Sequence, residues 1–157
     1  MALVKLPAMT RKEIDQLIKE QILCRIAFSG ENSPYIAPFQ YAIADEQLYF
    51  HFTDYGTKME RLKEGFPVCV EIEKYTSDLS EYAFVTLTGT LKLVKEEAER
   101  QKAIQKMAET GDAKLSTNFL CAHGFESESG WSSFNAEQHI LIVRLEKVTS
   151  IKGLKSP

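Results

Sequence analysis

The 157-residue sequence holds only three cysteines, Cys24, Cys69 and Cys121, and no Cys-x-x-Cys pair. Such sparse, odd-numbered thiols exclude a disulfide framework and argue against a structural zinc site; buried free thiols are expected at Cys24 and Cys69. No apolar run approaches the ~20 residues of a membrane-spanning helix, and Met1 to Pro7 lacks a signal-peptide core. The expectation is a cytoplasmic protein with no membrane partner. The 19 basic residues are scattered among 22 acidic ones, for a formal net charge of −3. A nucleic-acid partner needs a concentrated basic face, so none is expected. Gly-x-Ser-x-Gly, a Rossmann fingerprint and a P-loop are all missing. The three histidines, His51, His123 and His139, have no His-x-x-x-His spacing, and no metal is expected.

What is present is mostly short strands. At this length a single domain over residues 1–157 is expected. After an arm over residues 1–9, Thr10 and Glu13 form a capping box, and Ile14, Leu17 and Ile18 give a short amphipathic helix. The period then changes to two at Cys24, Ile26 and Phe28. Gly30 to Ser33 reads as a turn, and residues 34–43 as a second strand with an edge or break near Pro38, which cannot donate to a ladder. Asp45-Glu46-Gln47 turns the chain back into a strand over 48–53. Further strands are predicted at 68–73, at 84–94 with a bulge at Gly89, and at 139–148, with a frayed tail from Lys152. Residues 95–108 read as a surface helix with a thin apolar face and a Glu96–Arg100 pair. Residues 110–130 read as a long loop, a feature often tied to function. Six strands joined by short turns favour a mainly β fold, an antiparallel barrel with flanking helices, over a parallel sheet.

The most informative stretch runs from Leu48 to Leu62. It reads as strand, turn at Gly56, and helix from Thr57, whose hydroxyl and Glu60 are placed to form a second capping box, with Gly65 as the stop. A helix start directly after a strand offers free N–H groups and a positive dipole end to an anion. Lys58 adds a charge, and His51, Thr53 and Thr57 add polar hydrogens. The same pattern also serves a plain capped surface helix. Alternation puts Tyr49, His51 and Thr53 on one face, with Leu48, Phe50 and Phe52 on the other. His51 thus shares the polar face, where it can bond a ligand or deliver a proton; a half-buried histidine on a carbonyl is the structural alternative.

Tyr49-Phe50-His51, Gly56-x-Lys58 and the helix that follows resemble the signature of pyridoxamine-phosphate-oxidase-like FMN-binding split barrels, in particular the nitroimidazole-reductase-like branch. The resemblance extends over residues 10–153. That family usually has Arg immediately before the Lys, where this chain has Thr57, so a bidentate phosphate donor is missing. The resemblance implies a six-stranded split barrel, a homodimer with FMN at its interface, and an oxidoreductase acting on a small-molecule substrate. It implies that the segment with His51, Phe52, Thr53, Thr57 and Lys58 holds the flavin phosphate. Pro38, Phe39, Gln40 and Tyr41 would border the ring, and Trp131 would lie against the flavin from the second subunit unless it fills the core. His51 is the candidate catalytic residue. The alternatives are a non-catalytic flavin-binding protein, a deazaflavin user, and a haem-binding or haem-degrading barrel that uses His51 or His123.

Overall fold

The computed structural model describes residues 4–31, 33–126 and 128–157. The first three residues of the expected arm, Asn32 of the first turn and Ser127 of the long loop lie outside them. The described chain begins with α1 (Arg11–Glu20), β1 (Leu23–Phe28), β2 (Tyr35–Ala44), β3 (Gln47–Phe52) and α2 (Thr57–Glu64). It continues with β4 (Val68–Tyr75), β5 (Tyr82–Leu93), α3 (Glu97–Lys114), α4 (Thr117–Ala122), a 3-10 turn (Gly130–Ser133) and β6 (Leu141–Lys155).

The six strands close into an antiparallel barrel in the order β1-β2-β3-β6-β5-β4, with β4 returning to β1. Alternation decides what fills it. Ile26 and Phe28, Phe50 and Phe52, Val70 and Ile72, and Val143 and Leu145 all point inward and are buried. The β2–β3 turn works because Asp45 and Glu46 take left-handed φ of 48° and 61°, the backbone a tight hairpin needs. Gly89 marks a register shift between β5 and β6, as the sequence suggested; a side chain there would meet the Glu146 carbonyl oxygen at 2.7 Å. Helix α1 closes one barrel end with Ile14 and Leu17, and its Thr10–Glu13 capping box is formed.

β2 changes partners along its length. Residues 35–40 pair with β1, whereas 41–44 pair with β3. On the other side, His51 and Phe52 pair with β6. The barrel wall is therefore split between the first half of β2 and the end of β3, and Pro38 sits at that split, where a missing N–H is tolerated.

A second layer covers the outer face of β2, β3 and β6. Ala42, Ala44, Tyr49, Ile140 and Ile142 form its floor; Ala103, Ile104, Met107, Leu120, Trp131 and Phe134 pack onto it. This corrects several expectations. Helix α3 is longer than 95–108, and its face is thin because it lies on two alanines; Ala103 and Met107 are fully buried. Glu96 caps α3 by accepting from the Ala98 and Glu99 amides, and Arg100 pairs with Glu97 instead. The 110–130 stretch holds the end of α3 and all of α4 rather than a loop. The tail from Lys152 is not frayed: β6 runs to Lys155, and Lys155 N–H and Met9 N–H tie it to the arm through the Pro7 and Gly153 carbonyls. Among the described residues no helix is long and apolar enough to cross a membrane.

Candidate functional site

The split in the barrel wall opens into a cleft of about 240 Å³ lined by Leu23, Pro38, Phe39, Gln40, His51, Thr53, Lys58, Phe119 and His123. Six residues singled out from the sequence thus meet in one place, although they come from β2, from β3 and the turn after it, and from α2. Each arrives there by its element's geometry. Pro38 and Gln40 alternate outward from β2. The Phe39 ring stacks on Phe52 inside the barrel, centroids 4.8 Å apart, so what it offers a ligand is main chain. Gln40 is buried and its Nε2 donates to the Met107 carbonyl at 3.1 Å, which fixes the amide at the edge of the cleft.

Lys58 is held in the first turn of α2. Gly56 is the N-cap, with φ 86° and ψ 177°, and no side chain caps the helix. The expected capping box at Thr57 and Glu60 is therefore not formed, because Thr57 is already the first helical residue. The consequence favours a ligand: the amides of Thr57 and Lys58 have no intrahelical acceptor. Burial lowers the Lys58 pKa, and among the described residues no carboxylate pairs with it. Thr53 Oγ1 is nearby but donates to the Tyr55 carbonyl at 3.4 Å.

His51 points to the outer layer, as alternation required. Its ring lies 5.5 Å from Phe134, 6.4 Å from Phe125 and 6.0 Å from His123, centroid to centroid. Burial, with His123 and Lys58 adding positive neighbours, pushes its pKa down to about 4. That direction favours the neutral imidazole at neutral pH, and no protein hydrogen bond holds the ring among the described residues. His139 is elsewhere, 3.4 Å from Asp54 on the surface.

Four other sequence candidates lie off the cleft. The Tyr41 side chain turns inward and donates to the Ile18 carbonyl at 2.6 Å. Phe52 is in the barrel interior, and Thr57 is exposed on α2 without lining the cleft. Within this chain Trp131 is buried in the outer layer, against Gly111 and stacked on Phe119. In exchange the structure adds Leu23 and Phe119, and it brings in His123, which the sequence offered only for the haem alternative. Phe119 and His123 are one turn apart on α4, and His123 Nδ1 lies 2.7 Å from the Phe119 carbonyl. That i, i+4 spacing is readable in the sequence, but the weak periodicity around it reads as a loop. Another cavity, about 550 Å³, is at the α1 end of the barrel. Arg11 and Asp15 on its rim are paired at 2.9 Å, and Lys19, Glu46 and Gln47 also line it.

With this geometry in hand, the family profile described as pyridoxamine 5'-phosphate oxidase matches residues 10–121. The chain belongs to that family. No curated protein matches the sequence. Among solved structures, it is similar to an FAD-binding protein from Mesorhizobium loti, at 15% identity and TM-score 0.66 over 96% of each chain. It is also similar to a candidate 5-nitroimidazole antibiotic resistance protein from Bacteroides thetaiotaomicron, at 15% identity and TM-score 0.68, covering 96% of this chain and 87% of that one. A third, an FAD- and haem-binding protein from Mycobacterium smegmatis, shares 16% identity at TM-score 0.62, covering 94% of this chain and 71% of that one. At these identities the likeness is one of fold.

Proposed function

We propose that this chain binds FMN in the cleft at the barrel split and acts as a flavin-dependent oxidoreductase on a small molecule, as a homodimer in the cytoplasm. The observation that carries the reading is Lys58: a partly desolvated cation without a carboxylate partner among the described residues, beside the free amide end of α2. Such a place suits a phosphate. The donor set fits the rest of a flavin as well. The split leaves main chain along Pro38–Gln40 paired with β1 on one side but without a β3 partner on the other, which serves the hydrogen-bonding edge of a flat ring. Leu23 and Phe119 supply apolar wall.

One cation and one helix end make room for a single phosphate, which favours FMN over FAD; the FAD-binding structural neighbours make FAD the ligand to compete against it. A bound flavin would supply the electron chemistry. The chain's own residues hold and orient: Lys58 and the α2 amides take the phosphate, Gln40 presents its carbonyl oxygen, and neutral His51 donates or accepts one hydrogen bond. A cleft of about 240 Å³ is smaller than the roughly 300–1,000 Å³ of most small-molecule sites, and Leu23 and Ile36 expose apolar surface on β1 and β2. Both features favour a second copy covering the site. Three free cysteines suit a reducing compartment.

The test is the absorption spectrum of the purified protein, followed by equilibrium dialysis with FMN, FAD and riboflavin. A yellow protein with about one FMN per chain is expected. No binding at micromolar concentration, where binding is worth about −8 kcal/mol, overturns the reading. Sedimentation showing a monomer with flavin bound overturns the dimer. A second reading, haem binding, draws on the His51–His123 pair and on the haem-binding neighbour from M. smegmatis; a Soret shift on haem addition that is lost in His123→Gln would favour it.

A further inference from the structure

Arg61 is the buried residue of α2, with its side chain 8% exposed. Its guanidinium donates to the Ser33 carbonyl at 2.9 Å and to Glu64 Oε2 at 3.0 Å, while its Nε finds no acceptor among the described residues. A buried donor left unpaired is unfavourable, and an apolar side chain would fill the same volume without that defect. What the guanidinium does is join two elements. Ser33 leads directly into β2, whose residues 38–40 form one wall of the cleft; Arg61 lies one helical turn beyond Lys58, which stands on the other. Gly30 is shaped to the same contact, since a Cβ there would overlap the Arg61 guanidinium.

We infer that Arg61 is a positioning residue for the anion end of the site: by locking α2 to the turn before β2, it sets the span between Lys58 and the Pro38–Gln40 wall. The inference rests on the phosphate-binding reading above. A ligand that uses both walls depends on this span, whereas one that uses only the β2 wall does not. FMN reaches both; riboflavin, lacking the phosphate, reaches one.

The experiment measures FMN and riboflavin affinity by equilibrium dialysis, with thermal melting alongside, for the full chain and for Lys58→Ala, Arg61→Met, Arg61→Lys and Gly30→Ala. Arg61→Met is expected to weaken FMN about tenfold and riboflavin by less than about threefold. Arg61→Lys restores part of the loss, because one donor remains but not the fork. Gly30→Ala shifts affinity in the same direction as Arg61→Met, because its methyl displaces the guanidinium without removing it. If Arg61→Met does not fold, Gly30→Ala and Arg61→Lys decide the matter. Equal weakening of FMN and riboflavin in these variants, or no change in either, overturns the inference: Arg61 is then merely structural. If Lys58→Ala also fails to separate the two ligands, the phosphate site itself falls; if Lys58→Ala separates them and the Arg61 and Gly30 variants do not, only the positioning role falls.

Discussion

The barrel interior and the outer layer are both apolar, but they are held differently. The interior is enclosed by strands on every side, so a side chain such as Phe50 is gripped by the whole closed sheet. The outer layer rests on one face of β2, β3 and β6, and depends on a few large contacts. Trp131 fills the space above Gly111, where any Cβ would overlap its ring. Arg100 fastens the segment after Phe134 by donating to the carbonyls of Ala136, Gln138 and Ile140 at 3.1, 2.8 and 3.1 Å. The site lies where the two meet: β2, β3 and the start of α2 belong to the barrel side, and α4 contributes from the outer layer.

The sharpest way to break this comparison is to truncate one large side chain in each layer. Phe50→Ala and Trp131→Ala should each cost about 3–5 kcal/mol, but by different routes. Phe50→Ala should lower the melting temperature of the whole protein. Trp131→Ala should raise amide hydrogen exchange in α3 and α4 while β1 and β4 stay protected. Equal loss of protection in β1 and β4 would show that the layers are one cooperative unit.

Next in size, Lys58→Ala should weaken FMN by about tenfold to a hundredfold, matching the roughly 1.5–3 kcal/mol of a charge-assisted contact, and weaken riboflavin far less. Equal losses in dialysis would remove Lys58 from the phosphate site.

His51 sharpens the comparison through pH. The folded state keeps it neutral down to about pH 4, against an ordinary value of 6.5. Between those values the unfolded chain binds the extra proton, so stability falls as pH drops and is flat above about 7. His51→Gln should therefore lose about 2 kcal/mol less than the parent between pH 7 and pH 5. Parallel denaturation curves for the two proteins across that range would mean that His51 is not desolvated. The smallest effect is expected at the N-cap of α3, where Glu96→Ala should cost about 1 kcal/mol and leave FMN affinity unchanged.

The contrast between layers also explains what the sequence disclosed. Inside the barrel the period is two and the inward residues are aliphatic or aromatic, so Ile26, Phe50, Val70 and Val143 announce their face directly. The polar wall of the cleft was legible for the same reason, since His51 and Thr53 alternate against Phe50 and Phe52. The outer layer obeys no single period. Helix α3 looks too polar to be covered because Ala42 and Ala44, on a distant strand, let it approach closely. Trp131 meets Gly111, 20 positions earlier in the chain. Pairings of that kind have no local mark, so α4 and Phe119 lie within what reads as a loop, and His123 is legible as a histidine but not as part of this cleft. The missing cap at Thr57 was a matter of a single position: Gly56 took the N-cap because its φ of 86° suits a turn that threonine would resist.

The strand order has a consequence for how the chain reaches this state. β6 is the last strand in sequence, yet it stands between β3 and β5. As synthesis proceeds, the first five strands can pair only as an open sheet in the order β3-β2-β1-β4-β5, with two unprotected edges. Those edges are templates for pairing with other chains, and they persist until β6 is made and inserts along both, about 90 residues after β3 on one side and some 50 after β5 on the other. The same strand whose residues 142 and 143 back the His51 wall is thus the closing piece of assembly, and the interval before it docks is when this chain is most exposed to aggregation.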